Sequence, residues 1–144
     1  MSVFSQTIAA GIVVIAGFCL IAFAAVVLAR PALARRFLLR FAQTAPAHYT
    51  EMAVRILVGV ALVVASPRML FSQYFFWFGV ALLASSVMLL CLPWKWHRSV
   101  GERVLPRFVS LLGVVSLVSL LLGGLLVAAT VAGAVYQTAG AARG

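Results

Sequence analysis

Between Phe108 and Val135 the chain runs for 28 residues without one charged side chain, and three further apolar runs precede that one. A helix rises 1.5 Å per residue and a bilayer's hydrocarbon core is about 30 Å thick, so about 20 such residues cross it. Ile8 to Ala29, with 22 residues, and Met69 to Leu92, with 24, are equally free of charge and long enough. The remaining run, 47–66, is also long enough but purely apolar only from Ile56 to Ala65. Composition agrees with this reading: 65% of the side chains are apolar and 9% charged, against about 45–50% and about 25% in soluble domains. A soluble fold is excluded for want of polar surface. The expected fold is an all-α integral membrane protein: one domain of four transmembrane helices at about 8–29, 47–66, 69–92 and 108–135, packed as an antiparallel bundle. The 28-residue run exceeds a perpendicular crossing and is expected to tilt or protrude.

The boundaries carry their own signals. Arg30-Pro31 ends the first run, and Arg35, Arg36 and Arg40 then alternate with Leu33, Phe37, Leu38 and Phe41 in the pattern of a short amphipathic helix lying along headgroups. The polar stretch from Gln43 to Glu51 breaks the hydropathy, with Thr44 placed as a helix cap and Pro46 in the first turn. Ser66-Pro67-Arg68 is a turn-prone triplet that leaves the second and third runs no choice but a tight hairpin. The small, polar segment 137–144 is expected to be a flexible tail.

Eleven Lys and Arg against two Asp and Glu give a formal charge of +9, a balance that in a soluble protein would suggest nucleic acid. Position gives it another meaning. Arg30, Arg35, Arg36, Arg40 and Arg55 fall in or beside the connection between spans one and two, and Lys95, Arg98, Arg103 and Arg107 between three and four. Only Arg68 and Arg143 fall on the other side. The positive-inside rule then places both basic loops in the cytoplasm and both termini outside. No basic residue precedes the first run, opposite to a cleavable signal peptide, so span one is expected to be retained. The basic residues orient the chain and meet anionic lipid headgroups at about 1 kcal/mol each; nucleic acid is not an expected partner. Arg in place of Lys and Ala-rich usage suggest a GC-rich bacterial genome, hence an inner-membrane location.

Two overlays suggest internal repetition. At an offset of 62, Gly17, Leu20, Ala22, Leu28, Pro31 and Arg36 fall on Gly79, Leu82, Ala84, Leu90, Pro93 and Arg98. At an offset of 64, Leu57-Val58-Gly59 falls on Leu121-Leu122-Gly123, and Leu62, Val63 and Ala65 on Leu126, Val127 and Ala129. Two repeated helical hairpins of parallel orientation would give this pattern, and so would the shared Leu, Ala and Val content of unrelated spans.

Few residues remain to carry chemistry. Arg55 lies 12 residues before Pro67, which puts it on the order of 12 Å inside a 30 Å core if Pro67 marks the boundary. Glu51 precedes it by four residues, the favourable order for an intrahelical pair. Glu51 and Arg55 are the candidate functional pair, with simple anchoring of the helix end as the alternative. Tyr74 and Trp77 at one face and Trp94 and Trp96 at the other read as interfacial anchors. The cluster Phe71 to Phe78 could also stack a flat ligand such as a quinone, but a belt explains it without one. His48 and His97 fall in the basic connections with no ligand cluster around them, so no metal or cofactor is expected. Cys19 and Cys91 should pack as small hydrophobes with no disulfide between them. Ser119-x-x-x-Gly123 and Gly124-x-x-x-Ala128 allow close helix approach, within the chain or to another protomer.

No enzyme motif is present, and spans one, three and four contain no acid for proton-coupled export. The expected role is that of an accessory, assembly or interaction subunit, docked on a protein partner or on its own copies. The alternative is a small oligomeric transporter or channel using Glu51 and Arg55. The orientation is checked with single cysteines in a chain carrying Ser at positions 19 and 91. A cysteine replacing Arg36 or Arg98 should react with an impermeant maleimide only after the cytoplasmic face is opened, and one replacing Ser2 should react in intact cells.

Overall fold

The computed structural model describes residues 2–41, 45–91 and 111–142, which form helices joined by turns with no strand among them. Four helices are long and apolar enough to span a membrane. The first, α1 (Val3–Ala29), begins five residues before its charge-free run because Ser2 caps it, the serine Oγ accepting the Ser5 N–H at 3.2 Å. It stops at Pro31, which has no N–H to continue the ladder. The Arg30 N–H still donates to Val26 O at 2.8 Å, while Arg30 O accepts from Leu33 and Ala34 and so starts the next helix. That helix, α2 (Pro31–Phe41), has proline in its first position and exposes Arg35 and Arg36. Arg40 has no described side chain; Lys95, Arg98, Arg103, Arg107, Trp94, Trp96, Thr44 and His97 lie outside the described residues altogether.

α3 (Ala45–Ala65) contains Pro46 in its first turn and gives way to a 3₁₀ turn at Ser66–Arg68. Met69 is extended, and Phe71 has a φ of 58°, the one non-glycine residue with positive φ among those described. The third span is therefore shorter than its apolar run: Met69 to Phe71 belong to the turn, and α4 covers Ser72–Cys91. Phe71 O accepts from the N–H groups of Tyr74 and Phe75, closing the first turn of α4. The last helix, α5 (Leu112–Ala141), runs past the expected boundary at Val135. Residues 137–141, expected to be flexible, are helical. Ala139 and Ala141, of the strongest helix-forming type, flank Gly140 there.

Two pairings organise the helices: α1 against α5 and α3 against α4. Each is centred on a pair of glycines whose backbones touch. A Cβ on Gly17 would come within 2.9 Å of Gly123 O, and one on Gly123 within 2.6 Å of Gly17 O. Gly59 and Gly79 repeat this at 3.3 Å and 2.9 Å. The surroundings repeat as well. Gly17 faces Val127 and Leu126 where Gly79 faces Val63 and Leu62, and Gly123 faces Ile21 where Gly59 faces Leu83. The same offsets of 62 and 64 that align the sequence carry one crossing onto the other.

α1 also packs on α3, whereas α4 and α5, which would match that pair, have no comparable contact. The core runs through α1, α3 and α5, with Val13 and Leu62 at 0% exposure and Leu126 at 2%, and Met69 and Phe75 complete it. Hydroxyls buried in this apolar packing bond back to their own helices: Ser86 to Leu82 O at 2.6 Å, Ser116 to Gly113 O at 2.8 Å and Thr130 to Leu126 O at 2.7 Å. No helix needs a polar partner elsewhere to bury them. The turn at 66–71 is itself docked on α5: Leu70 donates its N–H to Ala129 O at 3.1 Å, and Arg68 O rests where a side chain at position 133 would stand. Gly133 is the residue that admits it.

Cys19 and Cys91 are free and exposed, on the outer surface and not in the packing where they were expected. Of the two small-residue pairs on α5, Ser119 and Gly123 are buried within the chain, but a Cβ on Gly124 would meet nothing within 4 Å. Neighbouring glycines thus make opposite predictions. Gly123→Val should destabilise the folded chain by about 1–3 kcal/mol through overpacking against α1, while Gly124→Val should leave its stability unchanged; unfolding of each variant in detergent, followed by circular dichroism, compares them.

Candidate functional site: a charge pair between α3 and α4

Glu51 and Arg55 stand one turn apart in the first half of α3, Arg55 at its midpoint, and their side chains meet. Arg55 Nη1 donates to Glu51 Oε1 at 3.3 Å, and Arg55 Nη2 donates to Ser85 Oγ on α4 at 3.1 Å. The serine hydroxyl in turn donates to Leu82 O at 2.9 Å. Arg55 is therefore held by its own helix and by the neighbouring one. α3 ends at Ala65, ten residues or about 15 Å beyond Arg55, and the 3₁₀ turn carries helical backbone on through Pro67 to Arg68.

The site is half-open. The side chains of Arg55 and Glu51 keep 30% and 43% of their surface, and the Arg55 Nε–H is buried without a hydrogen-bond partner. In hydrocarbon an arginine at a helix centre costs about 2.5–3.5 kcal/mol, and an adjacent carboxylate and hydroxyl offset part of this. Ser85 uses its proton on Leu82 O and its lone pairs on the guanidinium, so it is not poised as a nucleophile. Two charges of opposite sign and one hydroxyl make a clamp between helices or a cradle for a group that can displace Glu51.

Ser85 was not singled out from the sequence. Arg55 lies 11 residues before the 66–71 turn and Ser85 14 after it, so equal counting outward from the turn stops three residues short, at Leu82, and the pairing was not legible without the packing of the two helices. Arg55 and Gly59 lie on a face of α3 turned to α4: Arg55 to Ser85, and Gly59 to Gly79 and Leu83.

His48 is in the first turn of α3, not in a loop, and only 5% exposed, its ring 5.5 Å from that of Tyr49. No group of three or more His, Cys, Asp or Glu side chains is gathered among the described residues. Tyr74 and Trp77 are 77% and 61% exposed at the start of α4, and Trp77 stacks edge-on with Phe76 at 5.6 Å. Comparison with known proteins finds no matching family model, no similar curated protein and no similar solved structure.

If Arg55 clamps α3 to α4, the Arg55–Ser85 contact should be worth about 0.6 kcal/mol, the average for polar contacts between membrane helices. A double-mutant cycle of Arg55→Leu and Ser85→Ala on unfolding free energy measures it, and additive effects would show that the two side chains do not act together.

Proposed function

We propose that this chain is a multi-pass protein of the bacterial inner membrane that serves there as an accessory or assembly subunit. In this reading the four long helices form an antiparallel bundle of two repeated hairpins. The basic connections lie in the cytoplasm with α2 along the headgroups, and both termini lie outside. The matched glycine crossings support the duplication, because chance similarity of composition gives no reason for equivalent residues to make equivalent contacts.

The observation that carries the subunit role is the division of labour on α5. Ser119 and Gly123 are used up inside the bundle, whereas Gly124 and Ala128 face outward with open space over the glycine. Small residues let helix backbones approach closely, and in lipid that approach is the main source of association. A pair left over after the chain has packed itself suits a helix of another protomer or of a partner. Arg55 points the same way, since its charge is answered by Glu51 and Ser85 of its own chain.

A second reading rests on one atom. The unpartnered Nε–H of Arg55 is a donor that an anionic group could take, as expected in a small transporter working through Glu51 and Arg55. The two readings separate cleanly. Under the subunit reading, Gly124→Leu with Ala128→Leu abolishes co-purification of a stoichiometric partner or self-association in mild detergent, and Arg55→Leu leaves it intact. Under the transport reading, Arg55→Leu abolishes anion flux in proteoliposomes and the α5 variants leave it unchanged.

A further inference from the structure

The duplicated bundle is not closed symmetrically. α1 lies against α3, but the equivalent helices α4 and α5 stand apart, and between them is a hollow of about 510 Å³ lined by Phe71, Tyr74, Phe75, Phe78, Leu122 and Leu125. At its upper end this slot meets a second hollow, also about 510 Å³, which shares Phe71 and Tyr74 with it and includes Arg68 and Gln137. A third, of about 350 Å³, adjoins the other side of Arg68 and Gln137, where Thr7 and Thr138 line it. The combined shape is polar and cationic at one end and mostly apolar below.

Arg68 is the cation of this end and, among the described residues, meets no carboxylate. Its Nη1 donates to Thr7 Oγ1 at 3.2 Å and reaches Val3 O at 3.5 Å, both neutral acceptors. The only acid among the described residues, Glu51, is committed to Arg55. A guanidinium presents five donors in a planar fork suited to phosphate oxygens, so most of its capacity is open to an anion. Phe71, where slot and head pocket join, is the residue held at positive φ. An aromatic residue in that region costs of order 1–3 kcal/mol and persists where its surroundings demand it.

We propose that the cleft between α4 and α5 binds one anionic phospholipid, its phosphate at Arg68 and Gln137 and an acyl chain in the slot below. The dimensions agree. Leu125 and Leu122 lie 12 and 15 residues along α5 from Gln137, or about 18 and 22 Å; one leaflet contributes about 15 Å of hydrocarbon, and the headgroup layer spans the remainder. The bound lipid takes the place that symmetry would have given to an α4–α5 contact. This site rests on the chain being in a membrane, and that premise is tested separately by whether alkaline carbonate releases the chain from membranes.

The test is native mass spectrometry of the full chain in detergent with palmitoyl-oleoyl phosphatidylglycerol or the matching phosphatidylcholine. Wild type should retain one phosphatidylglycerol with about tenfold preference, the scale of one hydrogen-bonded charge contact. Arg68→Gln should remove the preference, and Arg36→Gln, at the other end of the molecule, should not. Leu125→Trp, which fills the slot and keeps Arg68, should lower retention of both lipids, and it decides the matter should Arg68→Gln fail to fold. Equal retention of the two lipids by wild type, a preference surviving in folded Arg68→Gln, or full retention by Leu125→Trp would each overturn the proposal. So would inorganic phosphate binding as tightly as the lipid, since the slot would then contribute nothing.

Discussion

Contact between glycine backbones sets the geometry on which everything else rests. In an apolar solvent there is little to gain by burying leucine against leucine, because lipid tails offer the same contacts. Helices must find their energy in closeness, and only residues without a Cβ let two ridges come near enough for backbone to lie on backbone. Gly17 on Gly123 and Gly59 on Gly79 supply that twice. The rest of the packing is arranged around them: Val13, Leu62 and Leu126 fill the centre because the crossings bring α1, α3 and α5 together there.

The polar groups have been fitted to this scheme with little left over. Buried hydroxyls turn back to their own helix carbonyls, so they neither demand nor attract partners. Arg55, bonded to Ser85 of α4, and Arg68, bonded to Thr7 of α1, are the groups that required an arrangement between elements. The hairpin provides the first, because the turn that brings Gly59 level with Gly79 also brings Arg55 within reach of Ser85. Stability and the candidate site are thus products of one register.

Much of this was readable in the residues. Charge-free runs located the four long helices, Pro31 and Pro67 marked where helices stop, and the spacing of Glu51 and Arg55 announced their pair. What failed to read has physical reasons. The beginning of α1 depended on a serine cap, which makes a polar segment helical without changing its hydropathy. Met69 to Phe71 looked like span because they are apolar, yet a three-residue turn needs extended and left-handed backbone, and hydropathy is blind to both. Residues 137–141 looked like a tail because they are small, although alanine favours helix. Which half of the Ser119-Gly123-Gly124-Ala128 sequence would face inward could not be read from neighbouring glycines of equal size; it is Gly123 that meets α1.

The docking of the 66–71 turn on α5 has a consequence for how the chain is assembled. During synthesis the first three spans emerge before α5, and in that interval the Leu70 N–H has no Ala129 carbonyl to meet and the Arg68 carbonyl no Gly133 to lie against. Bare backbone donors are tolerable at a wet surface and costly in hydrocarbon. Were the helices to enter a membrane, the turn would be held near water until the last helix arrived, with α5 as the latch that fixes it.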